Sequence, residues 1–235
     1  MTDGFDATEI TPGLAIAAAE LFHEGKPEEL ESIASMVDAE LFSASSIQLI
    51  LMVIDWIALS EMGDQIAQAY ETDNKEALDA LHRKGARFEI SEDGTLSSWV
   101  ETPSETAFDF PLEFWTQLKF AVQAHADEAA SLTGISSKVI NSLTAGIIND
   151  GIIRLLAGEN EVAIPSAAKF FNGDKSKADY AVVVANAFIT ASVIQEAAKS
   201  RTYAIRLSIP DSEPVVYEDV ANVIRDSLRE ELLES

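Results

Sequence analysis

The sequence predicts a mainly α-helical protein, a multi-helix bundle carrying one small antiparallel β element (hairpin 86–100 plus strand 203–209). Three observations carry that expectation. Apolar residues recur at the helical period over most of the chain, as in Leu30, Ile33, Ala34, Val37 and Leu41. Two nearly continuous apolar stretches, 47–59 and 180–194, are too long for strands and read as buried helices. Strict alternation is confined to 86–100 and 203–209.

In chain order, Thr11 is placed to cap a first helix with Pro12 at its first position, where a missing N–H costs nothing. That helix stops at Gly25, and Pro27 opens a second that runs to residue 42. A third begins near Ser45, with a break expected at Gly63. Gln48 and Asp55 are seven apart, so they share one stripe of it, read as a solvent edge. Asn74 caps a fourth helix that ends at Gly85.

Phe88 and Ile90 alternate with polar residues, and Glu92-Asp93-Gly94 is a hairpin-turn sequence. Ser97-Ser98 interrupts the pattern before Trp99, which predicts a bulge. Pro103 and Pro111 bracket a linker, so the chain divides into an acidic helical region with a hairpin (1–102) and a second helical region (103–235); the two could equally form one fused unit. Helices follow over 112–132 and 136–157, the second carrying Gly146 and Gly151 at about 1 kcal/mol each relative to alanine. A short helical piece at 166–171 ends on Asn172-Gly173, and a long helix spans 176–199. Ile205, Leu207 and Ile209 alternate with Ala204, Arg206 and Ser208, hence the strand at 203–209, free to join the hairpin. Glu218 and Asp219 suit the first turn of a terminal helix with Val220, Val223, Ile224, Leu228 and Leu232 on one face.

Charge is the strongest functional signal. The 235 residues carry a net charge of −24, and the first 74 hold fifteen carboxylates against one basic residue, Lys26. Such a surface repels phosphate backbones and anionic membranes and attracts cations. Salt adaptation is another source of acidity, though the chain's many Ile and Phe residues weaken that reading. With no cysteine there is no disulfide, no thiolate nucleophile and no Cys-ligated metal. The opening residues show no signal-peptide pattern, and both apolar stretches fall short of about 18–20 residues, so a soluble cytoplasmic protein is expected.

Glu20, Glu24, Glu28, Glu29 and Glu31 lie within twelve residues and are the candidate partner-binding set, facing a basic protein surface. The apolar helices 112–157 and 176–199 could additionally support a homo-oligomer. Each histidine has a carboxylate three residues away, which places both on one helix face: Glu20/His23, Asp79/His82 and His125/Glu128. Glu20, His23, Asp79 and His82 are therefore the metal candidates of an alternative, metal-dependent enzyme. A helix-then-hairpin order with Lys75, Arg83, Lys84 and Arg87 sketches a winged-helix DNA binder, but Glu92 and Asp93 at its tip oppose phosphate contact. No nucleophile elbow, P-loop or dinucleotide fingerprint occurs, and no cofactor is expected. The leading expectation is a non-catalytic interaction or regulatory protein.

Overall fold

Eleven consecutive residues, 181–191, are buried, and the rest of the fold is arranged around them. The computed structural model describes residues 7–83, 86–90, 96–100, 109–157, 167–208 and 211–234. Among these the chain forms helices α1 (Ala7–His23), α2 (Pro27–Met36), α3 (Ala39–Glu71), α4 (Lys75–Arg83), α5 (Asp109–Ala124), α6 (Ala126–Thr133), α7 (Ser137–Ala157), α8 (Lys175–Ser208) and α9 (Tyr217–Glu234), with a 3-10 turn at Ala167–Phe170. The central helix is α8. Helices α1, α2, α3, α5, α7 and α9 all pack on it.

The buried segment is AVVVANAFITA, apolar all round except for Asn186 and Thr190, because helices pack on it from several sides. By length and composition Lys175–Thr202 would also span a bilayer, but 83% of its most apolar window is enclosed here by protein. α1 packs on α8 and buries Ala15, Ile16, Ala18 and Ala19, mostly small side chains. One continuous core draws Phe42, Ile47 and Ile50 from the N-terminal half together with Leu118, Ile140, Leu143 and Ile147 from beyond residue 103.

The ends of the N-terminal helices follow from local chemistry. Gly25 takes φ +73°, which glycine tolerates, and the Lys26 N–H bonds the Leu21 carbonyl while the Gly25 N–H bonds that of Phe22. This closes α1 and turns the chain into Pro27, whose fixed φ starts α2. Val37 is extended and ends α2; Asp38 then caps α3, accepting from the Glu40 and Leu41 N–H groups at 2.9 and 3.1 Å. Replacing Asp38 with alanine is expected to cost about 1 kcal/mol in denaturant unfolding, with asparagine restoring most of it. An Asp38→Ala protein as stable as the parent would show that the cap contributes nothing.

The expected fold class needs correction. The architecture is helical, and the antiparallel β element is not shown as drawn. Residues 203–208, expected as a strand, are the last turns of α8. A helix already nucleated over 28 residues extends at one hydrogen bond per residue, whereas three alternating apolar positions offer a strand no preformed partner. Thr202 shows the continuation, its hydroxyl donating back to the Ala198 carbonyl at 2.9 Å. Ala86–Ile90 and Leu96–Val100 are extended and run antiparallel, but the turn residues 91–95 lie outside the described residues, so no closed hairpin is shown, and among the described residues no third strand joins them. Their register is unbroken from Ala86 opposite Val100 to Ile90 opposite Leu96, without the bulge expected at Ser97-Ser98.

Several helix limits differ as well. α1 starts at Ala7 and runs through Pro12, and α2 stops at Met36 because of the Asp38 cap. α3 starts six residues ahead of Ser45 and passes Gly63 without a break. The helix expected over 112–132 is two, divided at His125. α5 takes Pro111 into its first turn, while 101–108 of the expected linker lie outside the described residues.

Candidate interaction surface

The carboxylates proposed for docking divide on folding. Glu20 faces α9 and pairs with Arg225, a partner 205 residues away. Its neighbour His23 stacks flat on the Tyr217 ring, centroids 4.0 Å apart and planes 8° from parallel. The α1 face carrying Glu20 and His23 is thus a seam between the first and last helices. α9 is held there also by Thr202, whose hydroxyl accepts from the Val215 N–H at 2.8 Å.

Glu24 turns outward and pairs with Lys26 at 2.5 Å. Glu28, Glu29 and Glu31 stand exposed on the outer side of α2. The reason is periodicity: α2 buries Leu30 and Ile33, and the acids occupy the remaining positions of its first turns. Their field reaches neighbouring groups. The Lys26 ammonium is held above its ordinary range by its hydrogen bond and ion pair with Glu24, and further by Glu29 and Glu28. Half-buried Tyr180 on α8 is pushed up by burial and then by Glu31 and Glu28.

The acidic surface continues across the α2–α3 corner. Asp38 and Glu40 are exposed there. Lys175, at the start of α8, is raised first by its 2.7 Å pair with Asp179, then by Asp38 and Glu40. Within this corner two large apolar side chains face solvent, Met36 at 69% exposure and Leu41 at 47%. Sequence reasoning missed both. Leu41 was placed on the buried stripe of a longer second helix, and the Asp38 cap re-phases it outward. Asp38 itself was legible as a cap type five residues after Ile33, but the unbroken period concealed it.

The metal candidates are not brought together. Glu20 and His23 are engaged with Arg225 and Tyr217, while Asp79 and His82 are exposed on α4. His125 Nδ1 lies 3.0 Å from Glu128 Oε2 on another surface, between α5 and α6. Among the described residues no three His, Asp or Glu side chains converge in a way that could hold a metal ion.

Of the basic patch drawn for DNA, Lys75 and Arg83 are exposed and Arg87 donates to the His82 carbonyl at 3.2 Å; Lys84 lies outside the described residues. Gln48 is exposed, as expected of a solvent edge, while the Asp55 side chain lies outside the described set. On α5, Phe120 is 67% exposed. Set against protein-family models, curated proteins and solved structures, the chain matches none of them.

Proposed function

We propose that this is a non-catalytic interaction or regulatory protein whose α2–α3 corner docks a basic surface of a partner protein. One observation carries the reading: Glu24, Glu28, Glu29, Glu31, Asp38 and Glu40 all face solvent between the end of α1 and the start of α3, with Lys26 the only cation within that stretch of sequence. A field of this kind steers a cationic partner and raises its association rate. Exposed Met36 and Leu41, beside Asp38 and Glu40 in sequence, supply apolar contact that gains most when desolvated by a partner. Glu20 is not part of the docking set, because Arg225 already neutralises it.

The test is a comparison of captured partners by the parent and by a triple variant, Glu28→Lys, Glu29→Lys and Glu31→Lys. All three positions are exposed and helical, so circular dichroism should show the fold intact. Binding is expected at about 0.1 M salt, where the Debye length is about 10 Å, and release near 1 M, where it is about 3 Å. Reversing three exposed charges should weaken it by about 10- to 100-fold. A partner that binds parent and variant alike, at either salt level, refutes the proposal.

A further inference from the structure

The last turns of α3 and the facing side of α4 leave a cleft of about 440 Å3 between them. This volume falls within the roughly 300–1,000 Å3 typical of small-molecule sites. Its chemistry is unusual for this protein. Charged residues make up 24% of the chain, yet none of the described residues lining the cleft is charged.

Helical phase sets the described lining residues apart from their charged sequence neighbours. Gln65, Gln68, Ala69 and Thr72 follow an i, i+3, i+4, i+7 spacing and share one face of α3. Asp64 and Glu71 each sit one position earlier, about 100° around the helix, and are exposed. On α4 the same spacing turns Ala77, Ala80 and Leu81 inward and sets exposed Glu76 and Asp79 aside.

What remains is a neutral set of hydrogen-bonding groups over an apolar floor. Gln65 and Gln68 are exposed and present complete carboxamides, each able to donate and accept in one plane. The Asn74 side-chain oxygen is committed to capping α4 through the Ala77 N–H at 3.1 Å, which leaves its NH2 as a donor. The Thr72 hydroxyl gives its hydrogen to the Gln68 carbonyl at 2.7 Å, which leaves its lone pairs as acceptors. Ala69 and Leu81, both buried, close the base.

We propose that this cleft binds an uncharged small molecule with hydroxyl or amide groups along one edge and C–H surface on the opposite side. Alternating donors and acceptors match a polyol or an amide. Among the described lining residues an anion finds no counter-charge, and exposed Asp64, Glu71, Glu76 and Asp79 on the flanking faces repel it; the same carboxylates draw a cation to those flanks, not to the lining, where no described group would replace the water it loses.

The experiment follows the side-chain NH2 resonances of Gln65, Gln68 and Asn74 by NMR in the full chain. The uncharged probes are glucose, N-acetylglucosamine, myo-inositol and acetamide; acetate, inorganic phosphate and ethanolamine are the charged comparison. At least one uncharged probe should shift all three resonances saturably, and the charged ones should not. Ala80→Trp, which fills the cleft, should abolish the response. Gln68→Ala, which favours helix and keeps the fold, should weaken it about tenfold, the equivalent of about 1.4 kcal/mol. The proposal fails if no uncharged probe moves these signals, if acetate or phosphate moves them equally, or if a folded Ala80→Trp protein still responds.

Discussion

Asn186→Asp is expected to destabilise the protein by about 3–5 kcal/mol, the cost of an uncompensated buried charge. Asn186 lies at the middle of α8 and is wholly buried. Its amide nitrogen donates to the Ser43 hydroxyl at 2.6 Å and to the Val182 carbonyl at 2.9 Å. The first of these is a buried side-chain bond joining α3 to α8. A carboxylate at this position has no hydrogen to donate and would sit against the Val182 oxygen. Such a group folds best protonated, so its pKa would be raised in the folded state. The variant's stability should then be greatest below the ordinary aspartate value of about 3.9 and fall as pH rises through the raised value.

Asn186→Leu separates charge from polarity. The asparagine side-chain oxygen, like the Ser46 and Thr190 hydroxyls on the same two helices, has no hydrogen-bond partner among the described residues. Removing it relieves a desolvation penalty while losing the Ser43 bond, and the two terms are each about 1–3 kcal/mol. The leucine variant should therefore stay within about 1.5 kcal/mol of the parent. Urea unfolding at neutral pH measures both. Equal stability of the aspartate variant and the parent would mean that the α3–α8 seam admits water.

Tyr217 supports the second large expectation. It opens α9, is 4% exposed, and its ring covers His23. Tyr217→Ala removes a buried aromatic ring and should cost about 3–5 kcal/mol. Tyr217→Phe should act in the other direction. The hydroxyl is buried without a hydrogen-bond partner among the described residues, so losing it should stabilise by about 1 kcal/mol.

The phenylalanine variant also isolates a pH effect. Burial pushes the Tyr217 phenol well above its ordinary value, and the nearby carboxylates of Glu20 and Glu218 add to this, against an opposing effect of Arg225. A folded-state value above the unfolded one means that the contribution is complete below about pH 10 and is lost as pH rises through the folded value. Parent stability should thus decline above about pH 10 more steeply than that of Tyr217→Phe. Parallel alkaline profiles for the two proteins would contradict the burial of this phenol.

The helices were legible wherever their apolar period was sustained. α8 was recognisable from DYAVVVANAFITASVI, and α9 from its acidic first turn and apolar face. Gly25 and Asn172-Gly173 were legible as stops because positive φ favours those residues, and they take φ of +73°, +53° and +85°. The failures share a cause. At Ile205 and Leu207 a short alternating pattern competed with a helix already running, and at Val37 an unbroken period concealed a cap. In both places the outcome depended on what the neighbouring segment had already formed, which a local window does not contain.

The candidate site was legible to a similar degree. Glu24, Glu28, Glu29 and Glu31 were identifiable because charge density is additive along the chain and such groups must face water. Glu20 was grouped with them, and its pairing with Arg225 could not be read from a separation of 205 residues. The cleft lined by Gln65, Gln68 and Asn74 gave no sequence signal, since isolated carboxamides carry no motif.

Composition and periodicity alone determined that this chain is acidic, cysteine-free, mainly helical and built on two long apolar helices. These properties depend on side chains one to four positions apart and on sums over the chain. Only the tertiary structure decided that Glu20 is neutralised while its neighbours on α2 stay open, that residues 203–208 extend α8, that Met36 and Leu41 face solvent, and that a neutral cleft lies between α3 and α4. Each of these turns on which helices meet. Contacts between distant segments depend on the global packing of apolar faces, and no local pattern specifies which face meets which.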